Sequence, residues 1–177
     1  MSESDQQHLE GEASGFLWEV HKYTNEYIRF ADTKAAFIVG ACSALIGSLV
    51  ASSIFDGCFK SSLCQWTSLQ WTGAVGLLLL ATSLGFCLAA IRPRLWNNTS
   101  IGFIFWGSIT GHGRAQSFTR AVHGLSAHER SSAISDHLFM LATIVRRKYM
   151  HVDRALIAGV AGGALTAAVL FAQHAWR

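Results

Sequence analysis

The side chains of this 177-residue chain that could hold a small molecule gather between positions 92 and 125. That stretch carries Arg92, Arg94, Arg114 and Arg120 beside the aromatics Trp96, Phe103, Phe105, Trp106 and Phe118. A guanidinium makes charge-assisted hydrogen bonds to a phosphate. Aromatic walls with a few placed polar groups are the usual make-up of a small-molecule site. Such a set suits a planar, anionic ligand. Arg92 and Arg94 border an apolar run and read as orientation anchors, which leaves Arg114 and Arg120 for the phosphate. Trp106, with Phe118 nearby in sequence, is the candidate for the base. A second candidate is Asp32 and Lys34, just before the first long apolar run. In one reading Asp32 pairs with a base from 146–154 and couples two helices. In the other, Lys34 is a membrane-side anchor and Asp32 is its partner or is solvated.

Other chemistry has little support. The eight histidines include no His-x3-His pair, and no Gly-x-Ser-x-Gly, P-loop or Gly-x-Gly-x-x-Gly motif occurs. Between 92 and 154 the acidic residues are Glu129, Asp136 and Asp153, with no pair placed for general acid–base work. The chain therefore reads as a non-enzyme with no metal and no cofactor, and a net charge of +3 does not suggest a partner nucleic acid. Cys58 and Cys64 lie close together in a short connector. In an oxidising compartment they could form a disulfide, the alternative being two free thiols. Cys42 and Cys87 sit in apolar runs and read as small packing residues.

The elements that position these residues are membrane helices. Apolar residues make up 51% of the chain and charged ones 14%, against about 25% charged in an ordinary soluble domain. Residues 35–55, 71–91 and 155–172 are uncharged. Each approaches the ~20 apolar residues that cross a bilayer core. No cleavable leader is expected ahead of the first run. Lys22, Arg29 and Lys34 precede the first span, Lys60 is the one base in 56–70, and nine bases fall in 92–154. Positive charge is retained in the cytoplasm. The expected organisation is a cytoplasmic N-terminal helix (1–34), a span (35–55), a periplasmic connector (56–70), a second span (71–91), a cytoplasmic sensing module (92–154), a third span (155–172) and a periplasmic tail (173–177). This describes a multi-pass protein of a bacterial inner membrane.

Two cytoplasmic helices should run on into spans. Residues 16–34 have near-helical apolar spacing, and no proline separates them from the first span, so one helix from about 16 to 55 is expected. Ser126-Ala-His-Glu129 has the capping-box pattern and opens a second long helix, 127–172. One face of it carries Ile134, Leu138, Leu141, Ile144 or Val145, and Tyr149. Ile101-Gly-Phe-Ile-Phe-Trp-Gly reads as a strand or the start of a re-entrant or interfacial piece. Gly111-His-Gly113 is a turn, and 114–122 looks helical. The fold class is an all-α membrane protein with three transmembrane helices and a small helical cytoplasmic module. Small residues recur every four positions at Gly40/Ala44/Ser48, Ser43/Gly47/Ala51, Ala81/Gly85 and Gly159/Gly163. Such faces mark close helix contacts in lipid, and they predict a homo-oligomer with Gly159 and Gly163 in its contacts.

Three stretches together resemble the transmembrane effector family of bacterial Pycsar antiviral systems. They are Ile28-Arg-Phe-Ala-Asp32-Thr-Lys34-Ala-Ala, leading into the first span; Gly102-Phe-Ile-Phe-Trp-Gly-Ser-Ile, with Phe118 further on; and Leu125-Ser126 followed by the long helix through Ile144-Val-Arg-Arg-Lys148-Tyr149. Their order covers about 16 to 172. A tyrosine expected near 118 is Phe118 here, so no hydroxyl acts at that position. The resemblance implies a partner nucleotide cyclase that answers phage infection with a cyclic pyrimidine mononucleotide, cCMP or cUMP. It also implies an effector that senses this ligand, acts on membrane lipid and disrupts the inner membrane, so that the cell dies by abortive infection. Two other classes fit the residues alone. One is a membrane scaffold recruiting a partner through its long cytoplasmic helix. The other is a small channel subunit, which would need polar residues along a span, where Ser43, Ser48, Thr82 and Ser83 offer few.

Overall fold

Among the described residues three helices are long and apolar enough to cross a bilayer, and a helix pairs its backbone groups internally, as lipid requires. The structure is a computed structural model, and it describes residues 3–56, 66–92 and 103–175. The element order is α1 (Glu3–Ala51), a 3-10 turn (Ser53–Phe55), α2 (Ser68–Ile91), α3 (Trp106–Thr110), α4 (Ala115–His123) and α5 (Ala127–Ala175). The fold is an all-α membrane protein, and α1 and α5 are unbroken over their lengths. Cys58 and Cys64 lie outside the described residues.

The chain divides into two compact units: residues 1–29 with 93–146, and residues 30–92 with 147–177. The second unit is a bundle formed by the apolar parts of the three candidate spans. Its buried positions follow a repeat of three and four. On α1 they are Ala31, Ala35, Ile38, Cys42 and Leu49; on α2, Gly73, Gly76, Leu80, Ser83, Cys87 and Ala90; on α5, Val152, Ala155, Gly162, Thr166 and Val169. A seven-residue period keeps one seam of each helix facing its neighbours as they coil. Most seam residues are small, and this lets the backbones approach. A Cβ added at Gly162 would lie 3.0 Å from the Gly76 carbonyl oxygen. One added at Gly159 would lie 3.0 Å from Ser83 Oγ and 3.4 Å from Cys42 Sγ, and one at Gly163 would lie 3.2 Å from Leu45 Cδ1. Gly159 and Gly163, expected at a contact between subunits, therefore pack within one chain.

Ser83 ties the bundle together. Its hydroxyl donates to the Ala155 carbonyl at 2.6 Å and accepts from the Cys42 thiol at 3.5 Å, so one side chain on α2 reaches both α1 and α5. At the far end of the bundle, Gln70 donates to the Ile54 carbonyl at 3.1 Å while forming a capping box with Thr67, and Gln173 donates to Ser53 Oγ at 2.8 Å. The first apolar run reaches Phe55, but α1 ends at Ala51. Ser52 takes an extended backbone (φ −74°, ψ 145°), and its hydroxyl donates to the Leu49 carbonyl at 2.6 Å, competing with helical pairing.

In the first unit the Ser126/Glu129 capping box forms: the Glu129 amide donates to Ser126 Oγ at 3.2 Å, and the Ser126 amide donates back to the carboxylate at 2.8 Å. The segment from Ile101 contains no strand among its described residues. Residues 103–105 bend, and the Phe105 carbonyl accepts from the amides of Ser108 and Ile109 at 2.9 Å each, which starts α3. The 111–113 turn closes on Gly113, whose φ of +71° is a conformation that favours glycine.

Gly162→Ala is expected to destabilise the bundle by about 1–3 kcal/mol through overpacking against backbone that cannot move aside. Gly85→Ala, with nothing within 4 Å of the added methyl, should be neutral or slightly stabilising. Thermal unfolding of the two variants in mild detergent checks this.

Candidate functional site

The first unit contains a cavity of about 710 Å³, within the roughly 300–1,000 Å³ typical of small-molecule sites. Trp18 of α1, Phe103 and Ile104 before α3, Phe118 and Val122 of α4, and Arg130 and Ile134 of α5 contribute to its walls. The local sequence explains the convergence. Phe118 and Val122 are four residues apart on α4, so they share a face. Ala127, Arg130 and Ile134 occupy one face of the first two turns of α5 by the same rule. The Ser126/Glu129 box fixes where α5 begins, and so sets the register that brings Arg130 to the cavity. His112 lies between two cavity aromatics, with its ring centroid 5.6 Å from Phe103 and 5.3 Å from Phe118.

α1 meets α5 in this unit through histidines. The rings of His21 and His137 lie 5.4 Å apart, and Trp18 packs edge-on against His21 at 5.3 Å. Nδ1 of His137 is buried without a hydrogen-bond partner. Burial, and then the neighbouring charge of His21, push His137 below the ordinary histidine value of 6.5. Glu129 is held below the usual carboxylate value by its hydrogen bonds from Ser126.

In the second unit Lys148 donates to the Asp32 carboxylate; the lysine side chain is 15% exposed and the aspartate 41%. Lys34 does not pair with Asp32. Its ammonium lies 5.4 Å from the centre of the Tyr149 ring and 5.9 Å from that of Phe30, a cation–π arrangement.

Residues 16–173 match the Pycsar effector protein domain. The chain belongs to the Pycsar effector family. No curated protein and no solved structure matches it. The effector is thus a membrane protein of bacterial anti-phage defence. The matched stretch takes in all of Ser68–Ile91, all but a few end residues of the other two candidate spans, and every residue lining the cavity except Gly11.

Of the residues singled out from the effector's sequence, Phe118 lines the cavity. Arg120 does not; it lies with Ala115, Gln116 and Thr119 around a shallow recess on another face of α4. Arg114 is the residue preceding α4, in extended conformation (φ −138°, ψ 143°), and is exposed. Trp106 is the first residue of α3. Sequence reasoning missed Arg130 and Trp18. A signal for Arg130 was present: it lies four residues before Ile134 and so extends the apolar stripe Ile134–Leu138–Leu141 by one position. Arg130 is exposed at this position, in the first turn of α5.

A base whose folded value is depressed binds fewer protons folded than unfolded. Its contribution to stability is complete above about 6.5 and is lost as pH falls through the folded value. Melting of the full chain is expected to drop on going from about pH 7.5 to 5.5, and His137→Leu should flatten that dependence. Equal slopes for both would exclude His137 as the cause.

Proposed function

We propose that the effector binds a cyclic pyrimidine mononucleotide, cCMP or cUMP, in the cavity of its first unit, and that the bound state disrupts the inner membrane. The observation that carries this reading is one cation, Arg130, among the cavity's apolar and aromatic walls. Arg130 engages the single phosphate charge, and Trp18, Phe103 and Phe118 supply surfaces for the base. The ligand comes from a partner nucleotide cyclase, the pairing that membership of the family implies. Abortive infection follows when membrane integrity fails. The basic residues on either side of the spans support an orientation with the first unit in the cytoplasm, where such a ligand is made.

Titration calorimetry of the detergent-solubilised chain with cCMP and with cUMP tests the site. Arg130→Ala should weaken binding by about tenfold to a hundredfold, the worth of a charge-assisted bond of roughly 1.5–3 kcal/mol. Arg114→Ala and Arg120→Ala should change it little. If Arg120→Ala abolishes binding while Arg130→Ala does not, the ligand sits on the other face of α4. Failure of the wild type to bind either nucleotide overturns the sensor reading and favours a scaffold.

The Lys148–Asp32 pair joins α5 to α1 within the second unit, and in this reading it couples ligand occupancy to the membrane helices. Asp32→Ala leaves a mostly buried ammonium without its carboxylate. It should reduce killing on phage challenge while membrane abundance, by immunoblot, stays at the wild-type level. Unchanged killing would leave the pair as an anchor only.

A further inference from the structure

The outward faces of α1 and α5 complement one another. On α1, Phe16, Tyr23, Phe30 and Phe37 recur every seven residues and are 64–78% exposed. Within the bundle the same face carries Gly40, Ala44, Gly47 and Ala51, all exposed, and a Cβ added at Gly40 or Gly47 would meet nothing within 4 Å. This face lies opposite the Ala35–Ile38–Cys42 seam that packs against the chain's own helices. Between 40 and 51 it is a strip of small residues that no other described part of the chain covers. The outward face of α5 is the reverse, a ridge of Phe139 (77% exposed), Ile157 (71%), Val160 (64%) and Phe171 (76%).

The two faces also match in depth. In the second unit Asp32 meets Lys148, 116 residues further on, and by that offset Ala44 is level with Val160. In the first unit His21 meets His137, which sets Tyr23 level with Phe139. Copies of one chain in one bilayer sit at the same height. The ridge of one copy is therefore level with the strip of another. Charge agrees at the end of the strip. Lys34 borders the α1 face, and exposed Asp153 stands on the α5 ridge about one helical turn from the matching level.

We infer that a second copy of this chain docks head to tail, its α5 ridge at Ile157 and Val160 packing on the α1 strip at Gly40, Ala44 and Gly47, with Asp153 against Lys34. In lipid the gain comes from close packing of bulky side chains over small ones. A different face is used on each partner, so the contact is heterologous and propagates into a ring or a filament. A paired, self-matching dimer does not result. The inference rests on the membrane reading of the chain and is independent of the nucleotide.

Oxidative cross-linking of the full-length chain in membranes tests it, with the four natural cysteines replaced by alanine and with and without added cCMP or cUMP. Ala44→Cys combined with Val160→Cys should give a ladder of dimers, trimers and higher species. Each single variant, and the pair Gly85→Cys with Val160→Cys, should give none. Lys34→Asp should cut the ladder several-fold, and adding Asp153→Lys should restore it. No ladder from the 44/160 pair in either condition, or an equal ladder from the 85/160 pair, overturns the inference; a dimer from Ala44→Cys alone would replace it with a two-fold contact. The readout needs neither ligand binding nor killing, so its failure is distinct from failure of the sensor reading.

Discussion

Close approach of three helices around the Ser83 hydroxyl is the contact on which the rest of the membrane unit depends. The hydroxyl reaches the Ala155 carbonyl only because position 159, one turn further along α5, has no side chain; an added Cβ there would stand 3.0 Å from the serine oxygen. Gly76 and Gly162 allow a similar approach of α2 and α5 lower in the bundle. In lipid there is no hydrophobic drive to hold helices together, so packing and interhelical hydrogen bonds must do so. Small residues on the inner seams serve the first, and Ser83 the second. Thr166 is also on that seam, fully buried, with its hydroxyl unpartnered.

The first unit follows different physics. Its apolar side chains line an open-sided cavity of about 710 Å³ and do not fill the space. One end of α5 supplies the cation, and the capping box sets its register. α1 meets α5 there through the half-buried rings of His21 and His137, 5.4 Å apart and tilted by 34°.

An all-α chain with three spans was legible in the sequence because uncharged runs of 18 to 21 residues have few other solutions. The two long helices were legible too, since neither apolar stripe is interrupted by proline. The capping box at Ser126 and the turn at Gly111–Gly113 depend on neighbours in the chain and could be read locally. The stretch from Ile101 could not. Its aromatic composition is that of a strand, and only the lack of any partner strand among the described residues makes it a bend and a short helix.

What the residue order determined by itself was therefore the set of helices, their membrane character and the family to which the chain belongs, all properties carried by local pattern. Tertiary structure alone decided which face of each helix is inside. Gly159 and Gly163 have the same four-residue spacing as Gly40 and Ala44, yet the first pair meets α1 and α2 within the chain and the second pair faces outward. Likewise Arg120 and Arg130 are both cations on helices, and of the two only Arg130 lines the aromatic cavity. Spacing records that two residues share a face. The rotation of that face about the helix axis depends on the neighbouring helices, which lie tens of residues away in the chain.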